Sequence, residues 1–336
     1  MSSPRSSSKS GSSGGADRSG TPKSPFAKNK GGTSWRLHYG PDFSVPQTLR
    51  YLGRDANSVA ERVTGTRFER HLRVGAKALR VTVTFRDKSC SVETADDLTA
   101  PQQTALSAMV RRMLGLDQLT AAFGERMVDD PVMGPLVAAY PGLRVPQVPG
   151  LFEALCWAVI GQQINLAFAF KLRNRLIALA NGKIPDLALE ADGPPESLLP
   201  FPTPAQVAAL DPDLMRSVQF SRQKISYLLG IAGAMAKGEL DEAALTALPP
   251  EEALEALQCI RGVGPWSAAY AGMRALGHQD ALPVGDAGLI AAMRQQWKLA
   301  ERPDVATQIA LMERYRPYRS LACYYLWRSL SAATDG

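Results

Sequence analysis

The stretch Leu257-Gln258-Cys259-Ile260-Arg261-Gly262-Val263-Gly264-Pro265-Trp266-Ser267-Ala268-Ala269-Tyr270 governs how the rest of the chain is read. Apolar residues at helical spacing run into Gly262-Val263-Gly264, pause, and resume after Pro265. Proline at the first helical position costs no hydrogen bond, because that N–H would have no helical acceptor. Two glycines around one apolar residue permit a tight turn between helices and leave backbone N–H groups facing outward. Those donors stand where the helix dipole favours an anion, such as a phosphate of a nucleic-acid backbone. A plain turn between two helices has the same pattern, so the segment alone fixes no function.

On either side of it the chain is helical. An apolar run from Leu151 to Ala180 reads as a helix at the centre of a bundle, entered after Pro146 and Pro149. Proline-rich breaks at 194–204 and 249–250 separate it from further helices expected at 203–210, 220–237, 251–259, 265–276, 286–297, 302–314 and 319–333. Towards the N-terminus the period changes. Leu79, Val81, Val83 and Phe85 alternate with Arg80, Thr82, Thr84 and Arg86, the pattern of a half-buried strand. Phe68, Leu72 and Val74 alternate less cleanly, and a turn at 86–89 leads to a strand near 91–94. After Pro101, Leu106, Met109, Val110, Met113 and Leu114 return to helical spacing. The expected fold is an α+β N-terminal domain (antiparallel sheet plus helices) over 33–146, then a mostly α-helical bundle over 147–336. That bundle contains the helix-hairpin-helix.

The chain's 336 residues are 45% hydrophobic and 21% charged, which excludes wholesale disorder. No apolar run is long enough for a bilayer, and the N-terminus lacks the apolar segment of a secretory signal. Cys90, Cys156, Cys259 and Cys323 lie far apart, and His38, His71 and His278 are scattered, so the pattern suggests neither a disulfide framework nor a metal site. An intracellular protein, cytoplasmic or associated with the nucleoid, is expected. Of the net charge of +6, residues 1–32 supply +5, since Arg5, Lys9, Arg18, Lys23, Lys28 and Lys30 face only Asp17. This Ser/Gly-rich segment reads as a disordered basic tail, able to add salt-sensitive affinity for a polyanion or simply to be solvated. The remaining +1 does not by itself make the folded part a DNA binder.

Several motifs in one order narrow the function. Gly262-Val263-Gly264 with its flanking helices resembles the DNA-binding hairpin of the helix-hairpin-helix DNA glycosylase superfamily. Leu282-Pro283-Val284-Gly285-Asp286 resembles the loop that presents that superfamily's single aspartate, 20 positions beyond Trp266. Ile160-Gly161-Gln162-Gln163-Ile164 resembles the segment that places a wedge against the duplex. Arg316-Pro317-Tyr318-Arg319-Ser320 and Tyr325-Leu326-Trp327 resemble the closing helix of the DNA-3-methyladenine glycosylase II family. The resemblance is strong over 147–333, looser over 33–146, and does not reach the tail.

The resemblance implies base excision repair by a monofunctional glycosylase that flips out and hydrolyses alkylated purines such as 3-methyladenine and 7-methylguanine. Asp286, read locally, is an N-cap before an apolar helical run. The family assigns it the carboxylate that stabilises positive charge on the sugar as the glycosidic bond breaks. Trp266 stands where strand-cutting relatives carry a Schiff-base lysine, and an indole cannot be that nucleophile. Trp266, Tyr270 and Trp327 would line the base pocket, where electron-rich rings attract a cationic alkylated purine by ~2 kcal/mol; core packing is the plainer account of the same aromatics. Gln163 would be the wedge, though relatives often place an apolar side chain there; Gln162 could bond backbone instead, and Arg319 could be a surface ion pair. The implied partner is double-stranded DNA carrying alkylated bases, bound by a monomer away from any membrane. No cofactor or catalytic metal is expected, although a monovalent cation on the hairpin carbonyls fits the family. A non-catalytic DNA clip built on the hairpin would need neither Asp286 nor the aromatics. A glycosylase for oxidised guanine is disfavoured by the absent lysine.

Overall fold

The computed structural model describes residues 31–118, 120–184 and 197–331. The basic tail therefore lies, up to residue 30, outside the described residues, as do much of the 194–204 break and the last two positions of the expected 319–333 helix.

Strands β1 (Thr33–His38), β2 (Glu61–Thr64), β3 (Arg67–Val74), β4 (Lys77–Arg86) and β5 (Ser89–Thr94) form one antiparallel sheet in the order β1-β5-β4-β3-β2. Leu79, Val81, Val83 and Phe85 face the core as their alternation requires, with Leu106, Val110, Met113 and Leu114 of the helix Ala100–Leu114 packed on them. Thr82, on the opposite face, is buried as well, because Arg67 from β3 reaches across and donates to its hydroxyl at 3.3 Å. The poor alternation of β3 has a comparable cause. Arg70 points to the same side as Phe68 and Leu72 and is buried there by partners from outside the sheet.

Those partners weld the sheet to the helices. Arg70 pairs with Glu61 of β2 and with Glu153, each at 2.9 Å, and Arg173 pairs with the same two carboxylates at the same distance. Glu153 and Arg173 belong to the helices Leu151–Gly161 and Leu166–Ala180. Two cations and two anions close a neutral square with little exposure. The arginines outweigh burial at Glu61 and hold its carboxyl at about 2, below the usual carboxylate range. Because the folded value lies below the unfolded one, this contribution to stability is present above about pH 4.5 and disappears as pH falls towards 2. Urea midpoints measured from pH 6 down to 2.5 should therefore fall, and Glu61→Gln should flatten part of that slope.

The bundle departs from expectation at one informative place. The apolar run 151–180 is two helices, broken at Gln162–Asn165. Lys224, 8% exposed, donates its ammonium to the carbonyls of Val159, Ile160 and Gln162 at 3.0, 2.9 and 2.7 Å, and so ends the first helix. Gln163 then takes φ of 57°, and Asn165 caps the second helix by accepting from the Phe168 N–H at 2.8 Å. The expected 265–276 helix also changes form: an α-helix over Pro265–Ala271 widens into a π-helical turn over Gly272–Leu276.

Candidate active site

The hairpin is built on a glycine that only glycine can fill. Gly262 has φ of 94°, and a Cβ there would stand 2.3 Å from the Tyr227 ring. Val263 is buried in the bundle core and its N–H donates to the Ile260 carbonyl at 3.0 Å. This corrects one expectation: the Val263 donor is spent within the turn. The N–H groups that open the next helix, at Trp266 and Ser267, are the ones without intrahelical acceptors. An open groove of about 470 Å³ runs beside the turn, lined by Gln162, Gln223, Tyr227 and Gly262–Gly264 among others.

Asp286 stands at the far end of the loop, capping the helix Ala287–Gln296. Its Oδ1 accepts from the Leu289 N–H at 2.7 Å and from the Trp327 indole N–H at 2.8 Å. Its Oδ2 accepts from the Trp266 indole N–H at 3.0 Å. Three N–H donors thus fix both carboxylate oxygens, and charge-assisted bonds of this kind are the stronger sort. Trp266, Tyr270 and Trp327 form a row, with ring centroids 5.6 and 6.4 Å apart. The four residues expected to share a site are therefore together, and the indoles orient the acid as well as offering ring faces.

Two supports were invisible in the sequence. Gln308, buried, accepts from the Gly285 N–H at 2.8 Å and so pins the loop one residue before the acid. Gly288 leaves room for the acid's partner, since a Cβ there would come within 3.3 Å of the Trp327 ring and 3.2 Å of Asp286.

Gln163 lies apart from the aromatic row, exposed on the loop that Lys224 holds. Its neighbour Gln162 bonds backbone, donating to the Gly262 carbonyl at 3.0 Å, and also to Ser267 Oγ at 3.3 Å, which ties the loop to the hairpin. The large apolar side chain exposed beside Gln163 is Leu166, at 60%. Arg319 grips Asp280 with two nitrogens at 2.8 Å, so it is the ion pair rather than a free basic group. No group of three or more His, Cys, Asp or Glu able to hold a metal ion occurs among the described residues. At the hairpin, the Gly262 carbonyl already accepts from Gln162 and the Gly264 carbonyl from the Ala268 N–H at 2.9 Å; each keeps one lone pair with which a monovalent cation could be met.

Comparison with known proteins agrees with this geometry. Residues 34–149 match the AlkA N-terminal domain, and residues 156–317 match the HhH-GPD superfamily base excision DNA repair protein. The DNA-3-methyladenine glycosylase of Bacillus subtilis is 30% identical over 86% of this chain and 94% of its own length. DNA-3-methyladenine glycosylase 2 of Escherichia coli is 27% identical over 87% and 96%. Among solved structures, the 3-methyladenine DNA-glycosylase from Archaeoglobus fulgidus superposes with a TM-score of 0.73 at 21% identity, covering 87% of this chain and 97% of that one. An 8-oxoguanine glycosylase/lyase of Clostridium acetobutylicum bound to double-stranded DNA follows at 0.69 and 16%, covering 92% and 98%. At those identities the two structures speak for the fold alone.

Proposed function

The chain belongs to the HhH-GPD superfamily of base excision DNA repair proteins and, within it, to the DNA-3-methyladenine glycosylases; on that footing we propose that it is a monofunctional enzyme that hydrolyses alkylated purines out of double-stranded DNA. The observation that carries the reading is the Asp286 carboxylate, held by the indoles of Trp266 and Trp327 at the N-terminus of a helix. A phosphate clip would have no use for that arrangement.

The duplex is held through phosphates at the hairpin, and the damaged nucleotide leaves the stack for the row Trp266, Tyr270 and Trp327. Extrusion costs a few kcal/mol, least at damaged sites. Gln163, projecting from its strained loop, fills part of the gap. Positive charge then shifts from base to sugar as the glycosidic bond lengthens, and Asp286, unable to move between its three donors, stabilises the developing oxocarbenium ion and orients water. Fixed donors matter because a carboxylate that had to reorganise would give back much of that stabilisation. The reaction transfers no electrons between molecules and needs no redox cofactor; the acid supplies its charge without a metal. The enzyme acts as a monomer wherever the cell's DNA lies; no helix among the described residues is long and apolar enough to cross a membrane.

Base-release chromatography on methylated DNA with a chelator present tests the reading: 3-methyladenine and 7-methylguanine should appear and an abasic strand remain uncut. Trp266 leaves no amine at the hairpin to form an imine, so borohydride should trap no protein–DNA adduct. Intact bases in the DNA would sink the glycosylase assignment, and a strong trapped adduct the monofunctional one.

A further inference from the structure

Behind Tyr270 the structure holds a charge that the mechanism has not used. Arg274, in the π-helical turn, is 1% exposed. Its guanidinium donates to the Tyr51 hydroxyl, and its Nε has no hydrogen-bond partner. Its carbonyl is fixed by the Val148 N–H at 2.8 Å, so the residue cannot swing out. A fully buried arginine ordinarily keeps a carboxylate beside it, because an unpaired ion in low dielectric is expensive. The nearest candidates are Glu61 and Glu153, and Arg70 and Arg173 already neutralise them. Burial pushes Arg274 down to about 10, with Tyr324 and Cys323, not an acid, offsetting the shift, so it is still cationic at neutral pH.

Its surroundings are aromatic. The guanidinium carbon lies 4.6 Å from the centroid of the Tyr51 ring and 6.0 Å from that of Tyr270. A second cation, Arg54, stacks on Tyr51 at 3.8 Å from a more exposed position. Tyr51 and Arg54 belong to or follow the helix Val45–Leu52, so the sheet domain furnishes part of this assembly. Asp286 is on the indole side of Tyr270, bonded to Trp266 and Trp327, which flank that ring. An anion and an uncompensated cation therefore bracket the aromatic row.

We propose that Arg274 is a positioning residue for leaving-group departure, setting a positive potential at the base end of the pocket that opposes the negative potential of Asp286 at the sugar end. In the reaction the C1′–N9 bond breaks and its electron pair remains on N9. The sugar becomes an oxocarbenium ion, takes water at C1′ and releases a proton to solvent. A 7-methylpurine that entered as a cation leaves neutral, and a neutral purine leaves as an anion that takes a proton from water. In both cases the base gains electron density as the bond lengthens, and a fixed cation on its side favours that transfer. The same cation repels an alkylated base in the ground state and is indifferent to a neutral one. Substrate binding and bond cleavage are therefore affected oppositely for cationic bases, and only cleavage is affected for neutral ones.

The inference rests on the glycosylase reading, and single-turnover excision of 7-methylguanine and hypoxanthine from matched duplexes separates the two. Wild-type protein that releases neither base would defeat that reading. Arg274→Met should lower the maximal rate about tenfold for both bases, the size expected of one charge acting over roughly 10 Å in a partly polar interior. For 7-methylguanine the half-saturating enzyme concentration should fall in step, leaving the rate at low concentration nearly unchanged. For hypoxanthine it should stay put, so the low-concentration rate also falls about tenfold. Arg274→Lys should restore most of the loss. A packing defect would lower both bases alike and would not be rescued by lysine, and either result overturns the proposal. If Arg274→Met does not fold, Arg54→Met decides, because its exposed site puts no core at risk: the same split at about threefold supports the proposal, and equal losses on both bases refute it.

Discussion

Asp286→Asn should lower base release from methylated DNA by on the order of 10³-fold while binding to a duplex with an abasic site stays close to wild type. The substitution removes the charge and almost no volume. An asparagine can keep its oxygen toward the Leu289 N–H and the Trp327 indole, but its amide nitrogen then faces the Trp266 indole, donor against donor. One lost acceptor beside a half-buried donor costs about 1–3 kcal/mol, too little to unfold a chain of this size. Single-turnover release and abasic-duplex binding, measured on the same preparation, separate chemistry from folding. Release within a few-fold of wild type would remove Asp286 from the catalytic role and leave it a helix cap.

The second large effect is on stability. Glu153→Ala takes one corner from the buried square and leaves Arg70 and Arg173 with a single carboxylate between them. Breaking a buried pair from one side typically costs about 3–5 kcal/mol, because the orphaned charge cannot return to water. Urea unfolding followed by circular dichroism should show a clear fall in midpoint, and an unchanged midpoint would mean that water already reaches the square. Replacing the whole square by apolar residues of similar volume is a different experiment, since matched hydrophobic substitution of buried ion pairs can be neutral or stabilising. What the square secures is the placement of the sheet domain against the helices, and with it Tyr51 and Arg54 behind the aromatic row.

The elements that were legible in the residues are those whose causes are local. The alternation of Leu79 to Phe85 follows from strand geometry, and the hairpin follows from two glycines before a proline. The Asp286 cap could be read from the glycine before it and the apolar run after it. What escaped depends on partners distant in sequence. Nothing in the run 151–180 announces the break at Gln162–Asn165, because the ammonium that ends the first helix comes from Lys224, more than 60 positions from Val159. Thr82 is buried by a neighbour on another strand, and Gln308 holds the Asp286 loop from a helix 23 positions on. The aromatic row was foreseen as a set of ring faces; that two indole edges would turn to the carboxylate is a matter of side-chain rotation that spacing does not encode.

The widened turn at Gly272–Leu276 has a consequence for how the chain tolerates change. A π-helical turn holds one residue more than an ordinary one, so the loop that follows leaves the helix on a bearing set by that surplus residue. Deleting a single residue there would let the backbone relax to the commoner spiral and swing everything downstream by roughly 100°. Asp286 would then emerge beside a different flank of the bundle from Trp266. The phase between hairpin and acid is in this sense stored as a count, and an indel in that short segment would be far more damaging than most substitutions within it.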